Sequence, residues 1–395
     1  MRRPVQVGGV ERFDLRYVRA GPPSGTPLLV VPGGPGMASV RPYRWLRARA
    51  AAQGLDVIMV EHRGVGQSRR TDEGSDLPVS ALTVDQVVDD LAAVLDDCGV
   101  EQAVVYGTSY GSYLAQAFGA RHPERVAGMV LDSVMLRADR GRAHRDALRQ
   151  LLWEGSDPAT AAAARTVRRL VGTGAVPARE AAAVLQVVYE TAGLRRLEQL
   201  LDLLDSGRGH WTWRQLAALM SRELNRTVPG VMEFDRVGVI AFRELGYAPL
   251  PDGGPLEPDL EFARLAERFP PFVREPYDLV RALPGFTWPT AVVSGSRDLR
   301  TPGAVAREAA DLVPGAVLVA LDDHGHSALD THPRAALHVA QAVRDGRHAD
   351  LPAQAGRLSR LPRPLPTRAL SAVLAAQLTT ARLMPARRRA PTNES

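Results

Sequence analysis

Short runs of consecutive apolar residues alternate with longer amphipathic stretches in the first third of the chain. Such runs are typical of strands buried on both faces of a sheet, and they occupy residues 28–31, 56–61, 103–106 and 126–131. The stretch Thr83–Cys98 instead has apolar residues at helical spacing, and Thr83 with Gln86 forms the pattern of a capping box at its start. Strands and helices alternating in this order predict an α/β fold with a mostly parallel central sheet.

The pattern changes between residues 134 and 285, where strand-like runs stop and Ala-, Leu- and Arg-rich helical periodicity replaces them. Sheet-like runs return at residues 290–293 and 316–321. We therefore predict one α/β domain made of residues 1–133 and 286–345, with a helical cap, residues 134–285, inserted into it.

Residues 346–395 are rich in Pro, Arg and Ala, and we interpret them as a basic C-terminal tail. Within this tail, residues 369–384 have apolar positions at helical spacing, and three arginines follow at residues 387–389. An extension that packs on the body of the protein is the preferred interpretation. A helix that docks on a membrane surface or on a partner is the alternative.

The composition is that of an ordinary globular protein, with 45% hydrophobic and 24% charged residues among 395. No apolar run is long enough to cross a membrane, and the N-terminus lacks the apolar stretch of a signal peptide, so a cytoplasmic protein is expected. The single cysteine, Cys98, excludes an internal disulfide and a cysteine-based metal site. The net charge is +5, but no nucleic-acid-binding pattern is present, and we expect no nucleic-acid partner.

The residues Gly107–Gly111 form a G-x-S-x-G pentapeptide directly after the strand-like run at residues 103–106. A helical pattern follows at once. A strand, a tight turn with serine at its tip and then a helix is the context of a nucleophile elbow, in which the serine hydroxyl projects above the sheet. The sequence therefore predicts Ser109 as a nucleophile.

A serine nucleophile needs a base, and the base needs an acid that orients it. Asp298 follows the strand-like run at 290–293, and His326 follows the run at 316–321, so both are expected at the same sheet edge as Ser109. Two alternatives stay open. His324 precedes His326 by two residues, and Asp132 ends the strand after the elbow, where it could serve as the acid.

Acyl transfer also requires hydrogen-bond donors for the oxyanion that develops on the substrate. The residue after the nucleophile, Tyr110, offers its backbone N–H. The loop Gly33–Gly36 follows the run at residues 28–31, and its bare glycines allow close approach to a ligand, so we predict Gly34 as the second donor. This chemistry requires no metal and no cofactor.

These motifs together resemble the α/β-hydrolase proline iminopeptidase family, which includes prolyl and tripeptidyl aminopeptidases. The resemblance rests on Gly33–Gly36, on the loop His62–Ser68, on the pentapeptide, and on the loops that carry Asp298 and His326. Two positions depart from the family pattern. Pro32 stands where the family often has His, and Glu61-His62 stands where it usually has Asp-Gln.

The resemblance implies a helical cap over the site and release of N-terminal residues, including proline, from peptides through an acyl-enzyme. It also implies a cap carboxylate that binds the substrate's α-ammonium group, for which Glu244 is the candidate. Glu154 and Glu223 are weaker candidates. A small-molecule esterase or amidase with the same triad is the alternative function, and a non-catalytic ligand-binding protein of this fold is the third.

Overall fold

The computed structural model describes residues 1–225 and 227–383. Its centre is a seven-stranded sheet with the spatial order β3-β5-β4-β6-β7-β8-β9, and a separate two-stranded ribbon pairs β1 with β2. The strands are β1 (Arg2–Pro4), β2 (Arg12–Asp14), β3 (Tyr17–Ala20), β4 (Leu28–Val31), β5 (Val57–Val60), β6 (Ala103–Thr108), β7 (Val126–Asp132), β8 (Thr290–Gly295) and β9 (Val317–Leu321). Strand β3 runs antiparallel to β5, and the other neighbours in the sheet are parallel, which confirms the predicted sheet.

Helices cover both faces of the sheet and fill the long connection between β7 and β8. They are α1 (Arg44–Ala52), α2 (Val84–Asp97), α3 (Tyr110–Arg121), α4 (Arg140–Arg149), α5 (Ala161–Gly172), α6 (Ala178–Ala192), α7 (Leu194–Asp205), α8 (His210–Asn225), α9 (Phe234–Arg243), α10 (Leu260–Ala266), α11 (Leu279–Ala282), α12 (Gly303–Leu312), α13 (Ala328–Thr331), α14 (Pro333–Arg344), α15 (Leu351–Ser359) and α16 (Leu365–Leu383). Among the residues described, no helix is both long enough and apolar enough to cross a bilayer.

The alternation of side chains along the buried strands builds two cores, one on each face of the sheet. In β4, Leu29 and Val31 pack with helices α2 and α3, whereas Leu28 and Val30 pack on the opposite face with α1 and α14. All four β4 side chains are buried. A strand that is covered on both faces has an uninterrupted run of apolar residues, so the sequence pattern could predict β4.

Helix α2 begins at the predicted position but only half of the predicted capping box forms. The Thr83 hydroxyl accepts a hydrogen bond from the backbone N–H of Gln86 at 3.2 Å. The Oε1 atom of Gln86, which would accept from the backbone N–H of Thr83 in the reciprocal bond, instead accepts from the Arg63 guanidinium.

The connection between β7 and β8 contains helices α4 to α11 and, among its described residues, no strand. We call residues 134–285 the helical insertion. Its helices α4 to α8 surround a third core, which is separate from the two sheet cores. Leu374, Leu378 and Ala381 of α16 belong to this third core, so the C-terminal helix packs on the insertion from outside.

The chain beyond residue 345 continues into helix α15, which packs on the body of the protein. Leu351 and Leu358 of α15 are fully buried in the core on one face of the sheet. These two residues lie one heptad apart on one side of α15, and Ala355 between them packs against the same core. The arginines at residues 387–389 lie outside the described residues.

Candidate active site

Ser109 lies at the carboxyl end of β6, at the turn into α3, with φ 53° and ψ −121°. Its backbone N–H donates to the carbonyl of Asp132 at 2.9 Å. The flanking glycines are required by space, since a Cβ on Gly107 would lie 2.1 Å from the carbonyl oxygen of Gly111, and a Cβ on Gly111 would lie 2.1 Å from that of Val31. The pentapeptide therefore forms the sharp strand–turn–helix connection that the sequence predicts.

The structure brings the three predicted triad residues together. Oγ of Ser109 lies 2.9 Å from Nε2 of His326, and Nδ1 of His326 lies 2.9 Å from Oδ2 of Asp298. Asp298 follows β8 and His326 follows β9, so parallel strands deliver both side chains to the edge where β6 ends. A hydroxyl, an imidazole and a carboxylate in this chain can generate a serine nucleophile.

The carboxylate of Asp298 is held by its own loop. Its Oδ1 accepts from the backbone N–H groups of Arg300 and Thr301 at 3.0 Å, and its Oδ2 accepts from the Thr301 hydroxyl at 2.8 Å. Burial acts to raise the pKa of Asp298, but the charge of His326 and these hydrogen bonds outweigh it and lower the pKa to about 2. Asp298 is therefore ionised at neutral pH.

The same ion pair shifts the pKa of His326 in the opposite direction, upward. Burial acts to lower the pKa of His326, but the adjacent carboxylate of Asp298 outweighs burial and leaves the pKa above its usual value. The hydrogen bond from Nδ1–H to Asp298 leaves Nε2 as the acceptor for the Ser109 hydroxyl. This tautomer is the one that a general base requires.

His324 and Asp132, the alternative candidates for the base and the acid, have other contacts. Asp132 is buried, and its carboxylate accepts from the backbone N–H groups of Ala328 and Leu329 at 3.0 and 2.8 Å, so it anchors the turn after His326. His324 stacks on His332 with ring centroids 4.4 Å apart, and burial lowers its pKa to about 3. The hydrogen bonds of His326 thus favour Asp298 over Asp132 as its partner.

The Gly33–Gly36 loop passes directly beside the nucleophile. A Cβ on Gly33 would lie 3.3 Å from the Cβ of Ser109, and Gly34 lines the same cavity as Ser109 and His326. Tyr110 begins α3, and its side chain is buried with the hydroxyl 3.1 Å from Nε2 of His62. Both predicted oxyanion donors therefore belong to segments that border Ser109.

A cavity of about 300 Å³ opens onto Ser109 and His326. The sheet loops contribute one wall, and the helical insertion contributes the rest. The insertion residues that line it are mostly apolar, namely Met135, Ala183, Val187, Met220, Met232, Tyr247, Pro258 and Phe262. A volume and lining of this kind suit a small organic group or a short peptide segment.

Polar side chains follow one side of this cavity. His144 donates to the side-chain oxygen of Gln186 at 3.0 Å, and Gln186 donates to Glu190 at 3.0 Å. Glu190, which does not itself line the cavity, pairs at 3.1 Å with Arg300, which does. Asp259, which is 2% exposed, lines the same cavity. Sequence reasoning missed these residues, because a single polar residue in a helix or loop carries no signal of the cavity it faces.

Glu244 does not line this cavity, and its carboxylate has other partners in the structure. Its carboxylate accepts from the backbone N–H of Val84 at 2.8 Å and pairs with the Arg243 guanidinium at 2.7 Å. It therefore caps helix α2, where the helix dipole favours a negative charge.

Glu154 is exposed at the end of a helical turn after α4, and the side chain of Glu223 lies outside the described residues. In the described part of the chain, no three His, Cys, Asp or Glu side chains group as metal ligands.

Comparisons with known proteins agree with this architecture. The sequence model of a family described as "alpha/beta hydrolase fold" matches residues 26–173. A proline iminopeptidase of Neisseria meningitidis serogroup A is 31% identical over 126 residues, which are 32% of this chain and 38% of that protein. An epoxide hydrolase B of Mycobacterium tuberculosis is 36% identical over 84 residues, 21% of this chain and 22% of that protein. The matched stretch thus spans well under half of either relative.

A solved structure supports the same fold over more of the chain. The proline iminopeptidase of Mycobacterium smegmatis superposes with a TM-score of 0.53 at 20% identity, over 88% of this chain and 99% of that one. At this identity the likeness concerns the fold. The resemblance to proline iminopeptidases is confirmed by the sequence matches over the aligned stretch. This chain therefore has the α/β-hydrolase fold and is related in part of its sequence to the proline iminopeptidases.

Proposed function

We propose that this protein is a serine hydrolase that releases N-terminal residues, proline among them, from peptides through an acyl-enzyme. The observation that carries the proposal is the hydrogen-bonded chain from Ser109 through His326 to Asp298 beside a cavity of about 300 Å³. In this proposal residues 1–133 and 286–345 form the catalytic domain, and residues 134–285 act as a cap that encloses the substrate.

The mechanism follows from the geometry of these groups. Oγ of Ser109 attacks the carbonyl carbon while Nε2 of His326 takes its proton. The backbone N–H groups of Tyr110 and Gly34 stabilise the tetrahedral oxyanion. His326 then donates the proton to the leaving amine, and an acyl-serine remains. Water, deprotonated by the same imidazole, hydrolyses the acyl-serine and restores the serine, with the acyl group leaving as a carboxylic acid.

An aminopeptidase also needs a negative group that binds the free α-ammonium of the substrate. Because Glu244 caps a helix, we assign this role to Asp259, which lines the cavity that contains Ser109. Burial of this carboxylate would strengthen its attraction to a cation that enters the cavity. The neighbouring His144 ring, 3.9 Å away, lies on the same polar side.

The test compares amino-acyl p-nitroanilides that carry a free or an acetylated amine. We expect turnover of the free amine only, and we expect Asp259→Asn to reduce this preference. Asp202→Asn, which changes an exposed carboxylate on α7, serves as the matched control and should leave the preference intact. Equal turnover of free and blocked substrates by the wild type would refute the aminopeptidase assignment.

A small-molecule esterase or amidase is the second candidate, and the apolar walls of the cavity favour it. Met135, Met220, Met232 and Phe262 can enclose an uncharged acyl group. Efficient hydrolysis of p-nitrophenyl esters without turnover of any amino-acyl anilide would select this function. Labelling by a fluorophosphonate probe, with loss of labelling in Ser109→Ala, distinguishes both enzymes from a non-catalytic ligand-binding protein.

A further inference from the structure

A short segment of the helical insertion, residues 231–234, lies directly on the Gly33–Gly36 loop. The backbone N–H of Glu233 donates to the carbonyl of Gly36 at 2.8 Å, and the N–H of Ala38 donates to the carbonyl of Val231 at 3.0 Å. Contact is close, since a Cβ on Gly36 would lie 3.0 Å from the backbone nitrogen of Phe234. The insertion and the glycine loop are therefore joined through their backbones.

The side chain of Glu233 makes a second connection. It is buried, with 4% of its surface exposed. One carboxylate oxygen accepts from the backbone N–H of Gly66, and the other pairs with the Arg69 guanidinium at 3.2 Å. Gly66 belongs to the loop His62–Ser68, the second glycine-containing loop of the site region. One residue thus binds the first loop through its backbone and the second through its side chain.

Three of the four residues in Gly33–Gly36 are glycines without a side chain that could fix the loop, so its position depends on backbone hydrogen bonds and on contacts from neighbouring segments. The Gly33–Gly36 loop must hold the N–H of Gly34 in place to meet an oxyanion. A displacement of about 1 Å is enough to cost about 100-fold in rate. A buried carboxylate bonded to a backbone N–H and a guanidinium is a strong and directional anchor for such a loop.

We propose that Glu233 is a positioning residue that fixes the Gly33–Gly36 loop, and with it the Gly34 oxyanion donor, by bonding the insertion to both glycine loops. This inference rests on the proposed serine hydrolase function. Glu233 does not line the cavity, so it acts through the loop and not on the substrate.

The test uses Glu233→Ala and Glu233→Gln with p-nitrophenyl butyrate as the substrate. We expect Glu233→Ala to lower kcat by about 10- to 100-fold with little change in KM, because the loss concerns the transition state. Glu233→Gln should recover most of the rate, since its amide oxygen can still accept from Gly66. It also keeps the shape of the side chain, so it tests the proposal even where the alanine variant does not fold.

Asp235→Ala is the matched control. Asp235 pairs with the same Arg69 at 2.9 Å but has no contact with either glycine loop among its hydrogen bonds. This variant should retain the wild-type kcat. A trifluoromethyl ketone, which forms an anionic adduct with a serine, should lose affinity for Glu233→Ala by the same factor as kcat/KM, while binding of butyrate, which forms no oxyanion, should be unchanged.

Two results would overturn the proposal. The first is a Glu233→Ala protein that folds and turns over the ester like Asp235→Ala. The second is a loss of kcat without any loss of trifluoromethyl ketone affinity. Failure of the underlying function has a different signature, because the wild type itself would then resist fluorophosphonate labelling.

Discussion

The Nδ1 atom of His326 lies within hydrogen-bond distance of both carboxylate oxygens of Asp298, 2.9 Å from Oδ2 and 3.1 Å from Oδ1. The carboxylate therefore faces the Nδ1 side of the imidazole and orients the ring. Its negative charge also favours the imidazolium form, which raises the pKa of His326. In the proposed mechanism His326 must be neutral to act as a base, so we expect activity to increase as the pH rises through this elevated pKa.

Asp298→Asn is expected to shift the acid limb of the pH–rate profile to lower pH and to reduce kcat by about 10⁴-fold. The shift follows because burial then lowers the pKa of His326 without an opposing charge. The fall in kcat follows because an amide can donate to Nδ1 and so stabilise the wrong tautomer. Profiles of kcat/KM against pH for both proteins measure the two effects, and an unmoved acid limb would contradict this assignment.

Ser109→Gly is expected to unfold at a higher denaturant concentration than Ser109→Ala, although both are inactive. Ser109 has a positive φ of 53°, which costs a residue with a Cβ about 1–3 kcal/mol. Glycine removes this strain but loses about 0.5–1 kcal/mol through greater freedom in the unfolded chain. We expect the glycine variant to be more stable by about 1 kcal/mol in urea titrations. Equal stabilities would show that the strain at Ser109 is no larger than the entropic loss of glycine, about 0.5–1 kcal/mol.

Glu244→Ala is expected to lower the free energy of unfolding by about 1 kcal/mol, because α2 loses its cap at Val84. The preference for a free over an acetylated amine should stay at the wild-type value. Thermal unfolding and the anilide assay measure the two quantities. A lost amine preference with unchanged stability would restore the role in substrate binding that the sequence suggested.

Asp132→Asn is expected to act on stability and only weakly on chemistry. The backbone N–H groups of Ala328 and Leu329 each bond one carboxylate oxygen of Asp132. In the asparagine variant one of them would meet the amide oxygen, and the other would meet the NH₂ group, which cannot accept. The unpaired group should cost about 2 kcal/mol of stability. The fall in kcat should be far smaller than that of Asp298→Asn at the same pH. A loss of kcat equal to that of Asp298→Asn would make Asp132 the catalytic acid.

The sequence predicts the candidate site residues because reactive residue types coincide there with the ends of strand-like runs. Ser109, Asp298 and His326 each follow a strand-like run, and parallel strands end at one edge. Glu244 shows the limit of this reasoning. A carboxylate at a helix end has the same local sequence whether it faces a cavity or caps a distant helix, and only the packing of α9 near α2 decides between them.

Two further misses have the same physical origin. Asp259 lies after a Pro- and Gly-rich stretch without periodicity, so its position in the cavity depends on how the insertion folds over the sheet. Helix α15 has nine residues, among them Pro352 and Gly356, which are poor helix formers, and its burial depends on core contacts of Leu351, Ala355 and Leu358. Both outcomes depend on long-range contacts that no short window of sequence contains.

The pairing of β7 with β8 has a consequence for how this protein is made. Met129 lies opposite Thr290 in that pair, so the whole helical insertion must leave the ribosome before the two strands can meet. Contacts between residues so distant in the chain form slowly. Ser109 is synthesised 217 residues before His326, and Asp298 also follows the insertion. Under the proposed mechanism, a nascent chain therefore carries an unactivated hydroxyl until β8, β9 and the loops that follow them have been synthesised.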